Sequence, residues 1–443
     1  MPFGIFPSRM RIHSALIKEK LNLGGGKNGR KKKSIAEKSS WAAAFTVASV
    51  WFGTHVGGGF ASGNQVIQYY SQYGITAAIY PLFSMGILAV VIGIYTRFAK
   101  LNGFNNYKDT FRAAYPKPWM EIFFEIFYIV IILAAVASAV SGAGNVLTNF
   151  LGLEYAGSVK VIANLIIVAV LIILTIFGVK LVIAASTVLS IGIIITTIIM
   201  VITGLAANVD AIAQSYLDSG AITELSDYTH NAGAAIWRGI FIYLSFQCVS
   251  IAPMISASEE MSIKGMKRAS ILGGLMNGIA LALSGLMLYK WYPLLNALQQ
   301  AKVSGFEKCL NIPNQTVLTL VGIKWILVIF SILLICAFIS TCVTLVYSMV
   351  QRFQAYCFPK TIKSQKLRGV IIGAITIAIC FSLSLLGLTN IIKYAYGYDG
   401  YYALFVIVIP AFIWVLPKNR KLMKERAAAE SAVKEEAAPA TNT

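Results

Sequence analysis

The chain has 443 residues, of which 57% are hydrophobic and only 12% charged, and a formal net charge of +19. A water-soluble protein of this size carries about 25% charged residues, so a soluble domain is excluded. The basic excess does not point to nucleic acid either, because the Lys and Arg residues cluster between apolar runs and at the two ends, where a positive-inside bias puts them.

Residues 1–40 are polar and basic, with GRKKKS at 29–34. They lack a short apolar core followed by a cleavage site, so no signal peptide is expected, and the stretch reads as a basic N-terminal arm. Apolar runs of roughly 18 residues or more then recur. They predict ten membrane helices over 41–71, 74–98, 119–148, 158–178, 181–207, 233–257, 270–292, 317–350, 369–388 and 400–416. The fold class is therefore an all-α polytopic membrane protein. Most Lys and Arg lie in the arm, in 97–117, 258–268 and 351–368, and in the tail from 417. The loop 208–232 carries Asp210, Asp218, Glu224 and Asp227 instead. An even helix count with alternating charge places both termini in the cytoplasm and the protein in the cell membrane. The units are thus the arm 1–40, five helices in 41–207, an acidic outer loop 208–232, five helices in 233–416, and a tail 417–443.

The first helix contains HVGGGFASGN at 55–64. Gly57, Gly58 and Gly59 are consecutive, so they face three directions, whereas a close-packing face repeats every four residues. The run suits an unwound stretch better. Bare backbone at membrane depth is tolerated only where it lines a polar cavity or is buried in protein. Ser62 falls where a half-helix would restart and cap its free N–H groups. The sixth helix carries Ser245, Gln247 and Ser250 mid-span and then Pro253, which removes a backbone donor. Helices 1 and 6 are therefore both expected to break mid-membrane. Each is followed by four more, the pattern of a 5+5 inverted repeat with its site at the midplane.

The stretch GGGFASGNQVIQYY at 57–70 resembles the signature of the YkvI-type bacterial membrane proteins, whose first helix carries a similar Gly-x-Gly-Phe-Ala-Ser-Gly run. That family is similar to the amino acid–polyamine–organocation superfamily, with the leucine-transporter fold, and the resemblance spans about 41–416. It implies a solute held between helices 1 and 6. Gly57, Gly58, Gly59, Phe60 and Ser62 would present backbone donors to a carboxylate, with Tyr243, Ser245, Phe246 and Gln247 opposite. In helix 8 the adjacent hydroxyls Ser340 and Thr341 are similar to the pair that completes a sodium site in sodium-coupled members. The carbonyls of Gly53 and Val56 would supply the remaining oxygens. His55, just ahead of the break, departs from that pattern and is the alternative carrier of a coupling proton. Ser340, Thr344 and Ser348 form a stripe that either lines the path or bonds back to its own helix. Glu121 and Glu125, one turn apart in helix 3, read as a gating or structural pair that Lys117 or another base would meet, or else as a proton relay.

No phosphate-binding loop and no hydrolytic constellation is present, so neither an ATP-driven pump nor an enzyme is expected. The reading is a symporter: a secondary transporter of an amino acid or related zwitterion, coupled to sodium or protons, with no other cofactor. Its partners are the solute and the bilayer. The alternative on the same fold is a non-transporting, solute-sensing receptor subunit.

Overall fold

The computed structural model describes residues 40–175, 179–353, 362 and 364–436. Most of the basic arm, including Lys31 to Lys33, lies outside the described residues, as does the end of the tail. Among the described residues there is no strand.

The first expected helix is three pieces: α1 (Trp41–His55), α2 (Gly58–Ala61) and α3 (Asn64–Tyr69). After two 3-10 turns come α4 (Tyr80–Asn102), α5 (Tyr107–Ala114), α6 (Glu121–Phe150), α7 (Gly157–Ile173), α8 (Val179–Ala206) and α9 (Val209–Asp218). The second half holds α10 (Ala232–Ala257), α11 (Ile263–Gln300), α12 (Pro313–Val321), α13 (Lys324–Phe353), α14 (Gln365–Ser384) and α15 (Leu388–Ala429). Seven helices are long and apolar enough to cross a membrane, and the bent pair formed by the end of α8 with α9 makes eight. The difference from ten has a physical origin. No piece of the first span is long enough to cross a bilayer of about 30 Å at 1.5 Å per residue. The fourth, α7, has only 17 residues.

Two expectations are corrected. The sixth helix is not broken: α10 runs through as π-helix at Trp237–Ile242, α-helix at Tyr243–Phe246, a 3-10 turn at Gln247–Ser250 and α-helix again from Ile251. The tighter 3-10 turn directly precedes the segment holding Pro253. Changing the pitch there absorbs the missing donor and the ring without unwinding the backbone. The tenth helix starts at Leu388, twelve residues before the expected 400, because Asn390, Lys393 and the Tyr-rich run 394–402 dilute the apolar signal without stopping the helix.

Glycines set the close contacts. A Cβ at Gly274 would come 2.8 Å from the Ala89 methyl, and one at Gly285 would come 2.5 Å from the Ala77 carbonyl oxygen. One at Gly273 would overlap the Trp51 indole. Small residues thus let α11 lie directly on α4 and α1, as membrane helices do without a hydrophobic drive between them. A second group packs α13 and α14 against α6, with α7 joining α6 and α14. The short α2 touches α6 and α13, so the break in the first helix lies between the two groups.

Candidate functional site

The first interruption falls at Val56 and Gly57. Val56 closes α1, and Gly57 is extended with φ −80° and ψ 179°. Its N–H turns back to the His55 carbonyl at 2.8 Å. As a result, the N–H groups of Gly58, Gly59 and Phe60 have no acceptor among the described residues, and the carbonyls of Gly53, Thr54 and Val56 have no donor. These are the groups that any helix end leaves open, here brought together in the middle of a span. α2 has only four residues, so its macrodipole is small, and its open donors matter more.

The half-helix restarts at Gly58, not at Ser62. Ser62 lies at a second interruption, where Gly63 takes φ +84°. The Ser62 hydroxyl donates to the Gly59 carbonyl (3.1 Å) and accepts from the Asn64 N–H (3.3 Å). It therefore accepts from the first N–H of the helix that follows, α3, whose N-cap is Gly63. Residues of neighbouring elements hold this turn from outside. Asn314 donates its N–H to the Ser62 carbonyl (3.1 Å) and its amide to the Ala61 carbonyl (2.9 Å). Asn64 donates to the Leu310 carbonyl (2.7 Å) and the Thr389 hydroxyl (2.8 Å).

His55 is buried at the end of α1. Its Nδ1 meets the Asn277 side-chain oxygen of α11, and its Nε2 lies 2.9 Å from the Tyr243 hydroxyl of α10. Asn277 donates its amide to the Gly273 carbonyl at 2.8 Å, which makes its oxygen the acceptor and places the His55 proton on Nδ1. The Tyr243 hydroxyl also lies 3.4 Å from Gln65 Oε1. Gln65 packs over the break, since a Cβ on Gly59 would come 2.5 Å from Gln65 Nε2. One polar chain therefore crosses α11, α1, α10 and α3.

The aromatic wall is larger than expected. Phe60 lies 5.5 Å from the His55 ring, and Phe246 lies within 5.2 Å of Tyr69, Tyr243 and Tyr396 by ring centroids. The Ser245 hydroxyl donates back to the Phe241 carbonyl at 2.6 Å and keeps its acceptor lone pairs. Gln247 is buried in the 3-10 turn.

On the other side, Thr341 of α13 faces the break, with its Oγ1 3.9 Å from where a Gly57 Cβ would sit. Ser340 and Thr341 are both half-buried. Farther along α13, Thr344 and Ser348 bond back to the Ser340 and Thr344 carbonyls, the self-satisfied form of the stripe. Phe338 of the same helix is fully buried between Gly58 and Gly142, where a Cβ on either would overlap its ring. Glu125 and Glu121 meet Arg352 at the far end of α13, Glu121 at 3.8 Å, with the guanidinium over the Tyr107 ring. Their partner is thus Arg352 rather than Lys117, and the pair ties α6 to α13.

Four residues of this region escaped the sequence reading. Asn277 and Gln65 were legible as lone amides in apolar runs, by the argument applied to Gln247. Asp399 lay one residue before the expected tenth helix. Phe338 carries no signal, because its role exists only through the glycines opposite.

No known family profile matches the chain, and no curated protein does. Solved structures match it well. One is a substrate-bound, outward-open sodium-coupled sialic acid symporter, at 14% identity over 85% of this chain and 80% of that chain, TM-score 0.55. Another is MhsT in complex with L-phenylalanine, at 13% identity over 87% of this chain and 99% of that chain, TM-score 0.52. The chain has the leucine-transporter fold.

Proposed function

We propose that this chain is a secondary active transporter of a small organic solute, an amino acid or related zwitterion, working by alternating access. In this reading it has ten spans in two inverted five-helix repeats, sits in the cell membrane with both termini cytoplasmic, and belongs with the YkvI-type proteins by its GGGFASGNQVIQYY run. The observation that carries the reading is the break at Val56–Gly57. Open backbone donors at Gly58, Gly59 and Phe60 lie at a mid-span break, and Tyr243 and Phe246 stand on the neighbouring α10, a combination that suits a carboxylate with an apolar side group. The short α2 packs on α6 and α13 of one group while α1 packs on α11 of the other, so a solute bound at the break lies where the two bodies that alternate meet.

Sodium is the coupling ion in this proposal. The unpaired carbonyls of Gly53 and Val56, with the hydroxyls of Ser340 and Thr341, offer the several oxygens a hard cation needs. One structural neighbour is a sodium-coupled symporter and the other holds L-phenylalanine, which supports the choice. His55, already bonded at both ring nitrogens, acts here as a post that fixes the end of α1 against α10 and α11.

The test is the melting of the purified full chain across a panel of amino acids and small organic anions, in sodium and in choline. A ligand at about 100 times its Kd stabilises the bound state by about 2.7 kcal/mol. The expected result is a solute whose stabilisation needs sodium and is lost in Thr341→Ala and Ser340→Ala. A panel without any stabilising solute overturns the amino-acid reading. Equal stabilisation in choline overturns sodium coupling. Binding without accumulation in proteoliposomes makes the chain a solute-sensing receptor.

A further inference from the structure

The tenth helix holds a carboxylate that nothing above uses. Asp399 sits in the α-helical segment Tyr396–Ala403 of α15, between two π-helical segments, Ile391–Ala395 and Leu404–Val408. It is 4% exposed, and its Oδ2 is buried without a hydrogen-bond partner. One turn along the same helix the Tyr402 hydroxyl is also buried and unpartnered. Two buried oxygens of one helix thus lack a hydrogen-bond partner among the described residues. Orphans of this kind are rare in native structures and mark missing ions, waters or protons.

Among the described residues no cation answers the carboxylate. The titratable group facing it from α10 is Cys248, and Arg238 of that helix lies over the Tyr69 ring instead. On α6 the acids are bound to Arg352. Tyr95 and Tyr115 donate to the Ile407 and Val406 carbonyls. On α15 itself, Tyr396 faces Ser138 and Phe246, Lys393 is exposed over Tyr394, and Lys418 donates to the carbonyls of residues 113–115. A buried carboxylate with neither cation nor donor is too costly to keep charged. A metal cation is no answer, because one carboxylate and one phenol supply too few oxygens for it. Such residues in membrane helices serve proton pathways.

We propose that Asp399 is a proton-binding site on α15, loaded in the arrangement described here and emptied when α10 and α15 separate. The proton comes from water on one side, forms the neutral carboxylic acid, and returns to water on the other. The link to the solute region is direct. Gly400 brings α15 onto α10, since a Cβ there would come 2.8 Å from the Ile242 carbonyl oxygen, and Tyr396 packs its ring on Phe246. The proton site itself is independent of the transporter reading; its use in coupling rests on that reading.

The test is infrared spectroscopy of the full chain in proteoliposomes at neutral pH, comparing wild type with Asp399→Asn and Asp399→Glu. The expected result is a protonated-carboxyl C=O band in wild type, lost in Asp399→Asn and shifted in Asp399→Glu. Asp399→Asn mimics the neutral acid in shape and charge, so its fold is preserved, and Asp399→Glu covers the case where it is not. A wild-type spectrum in which residue 399 contributes only carboxylate bands overturns the proposal. Proton movement into dye-loaded proteoliposomes on adding the solute panel separates the two claims. Movement present in wild type and lost in Asp399→Asn supports coupling through this group. A protonated band without any solute-driven movement keeps the proton site and counts against the transporter.

Discussion

Gly58→Ala is the sharpest perturbation of the site, because it adds one methyl group where the structure has no room. The new Cβ would overlap two atoms of the Phe338 ring, and even the ring Cγ would be only 2.9 Å away, against an ordinary carbon contact of roughly 3.5–4.0 Å. The ring cannot step aside, because Gly142 of α6 closes its other face. Either the ring leaves its rotamer or α2 moves off α13. Over-packing of this kind costs about 1–3 kcal/mol, and with both sides closed about 3 kcal/mol is expected. Phe338→Ala alone should cost about 3–5 kcal/mol through its cavity. In the double variant the methyl enters that cavity, so the costs should fall short of additive by about 2 kcal/mol, within the range of coupling for residues in contact. The assay is reversible unfolding in mixed micelles titrated with SDS, on all four forms. Wild-type stability for Gly58→Ala, or strictly additive costs, would show that α2 is not wedged against α13 by this ring.

Other substitutions check separate parts of the site. Gly63→Ala and Gly103→Ala both force a left-handed residue, at φ +84° and +73°, each costing about 1–2 kcal/mol. Gly63→Ala also pushes a Cβ to 2.6 Å from Asn314 Oδ1, while Gly103 has open space. Gly63→Ala should therefore lower the melting temperature clearly more, and equal losses would show that the Asn314 latch yields freely. Tyr243→Phe deletes the hydroxyl between His55 and Gln65 and should cost about 1–3 kcal/mol through an unsatisfied buried group, read by the same SDS titration; an unchanged unfolding midpoint would show that water replaces the hydroxyl. Arg352→Ala leaves Glu121 and Glu125 adjacent and unpaired, with all three side chains mostly shielded from solvent. A loss of about 2–3 kcal/mol is expected, much of it recovered in Arg352→Ala combined with Glu125→Gln. No recovery would place the Arg352 contribution in its packing on Tyr107.

Much of this protein is legible in one dimension, and the reasons are local. Apolar runs and charge placement announce membrane helices because bilayer thickness and the cost of unpaired backbone act on every segment alike. Three glycines in succession announce an interruption because no helix packing needs them in that order. The hydroxyl pair Ser340–Thr341 and the amide Gln247 stand out because polar groups in lipid need a reason. What one dimension misreads is how strain is relieved. Pro253 looks like a break, yet α10 takes it up by changing pitch; Ser62 looks like the restart, yet the chain re-forms helix at Gly58 and spends Ser62 on the next turn. Only the tertiary structure puts Asn277 on His55, Gln65 over Gly59 and Phe338 between Gly58 and Gly142. Those contacts join residues more than a hundred positions apart or on different helices, and a side chain's partner depends on helix rotation and crossing, which no local pattern encodes. Asp399 shows both sides: its residue type is written in the sequence, while its place inside the tenth helix and its lack of a partner are decided by how far that helix runs and which faces of α6 and α10 close around it.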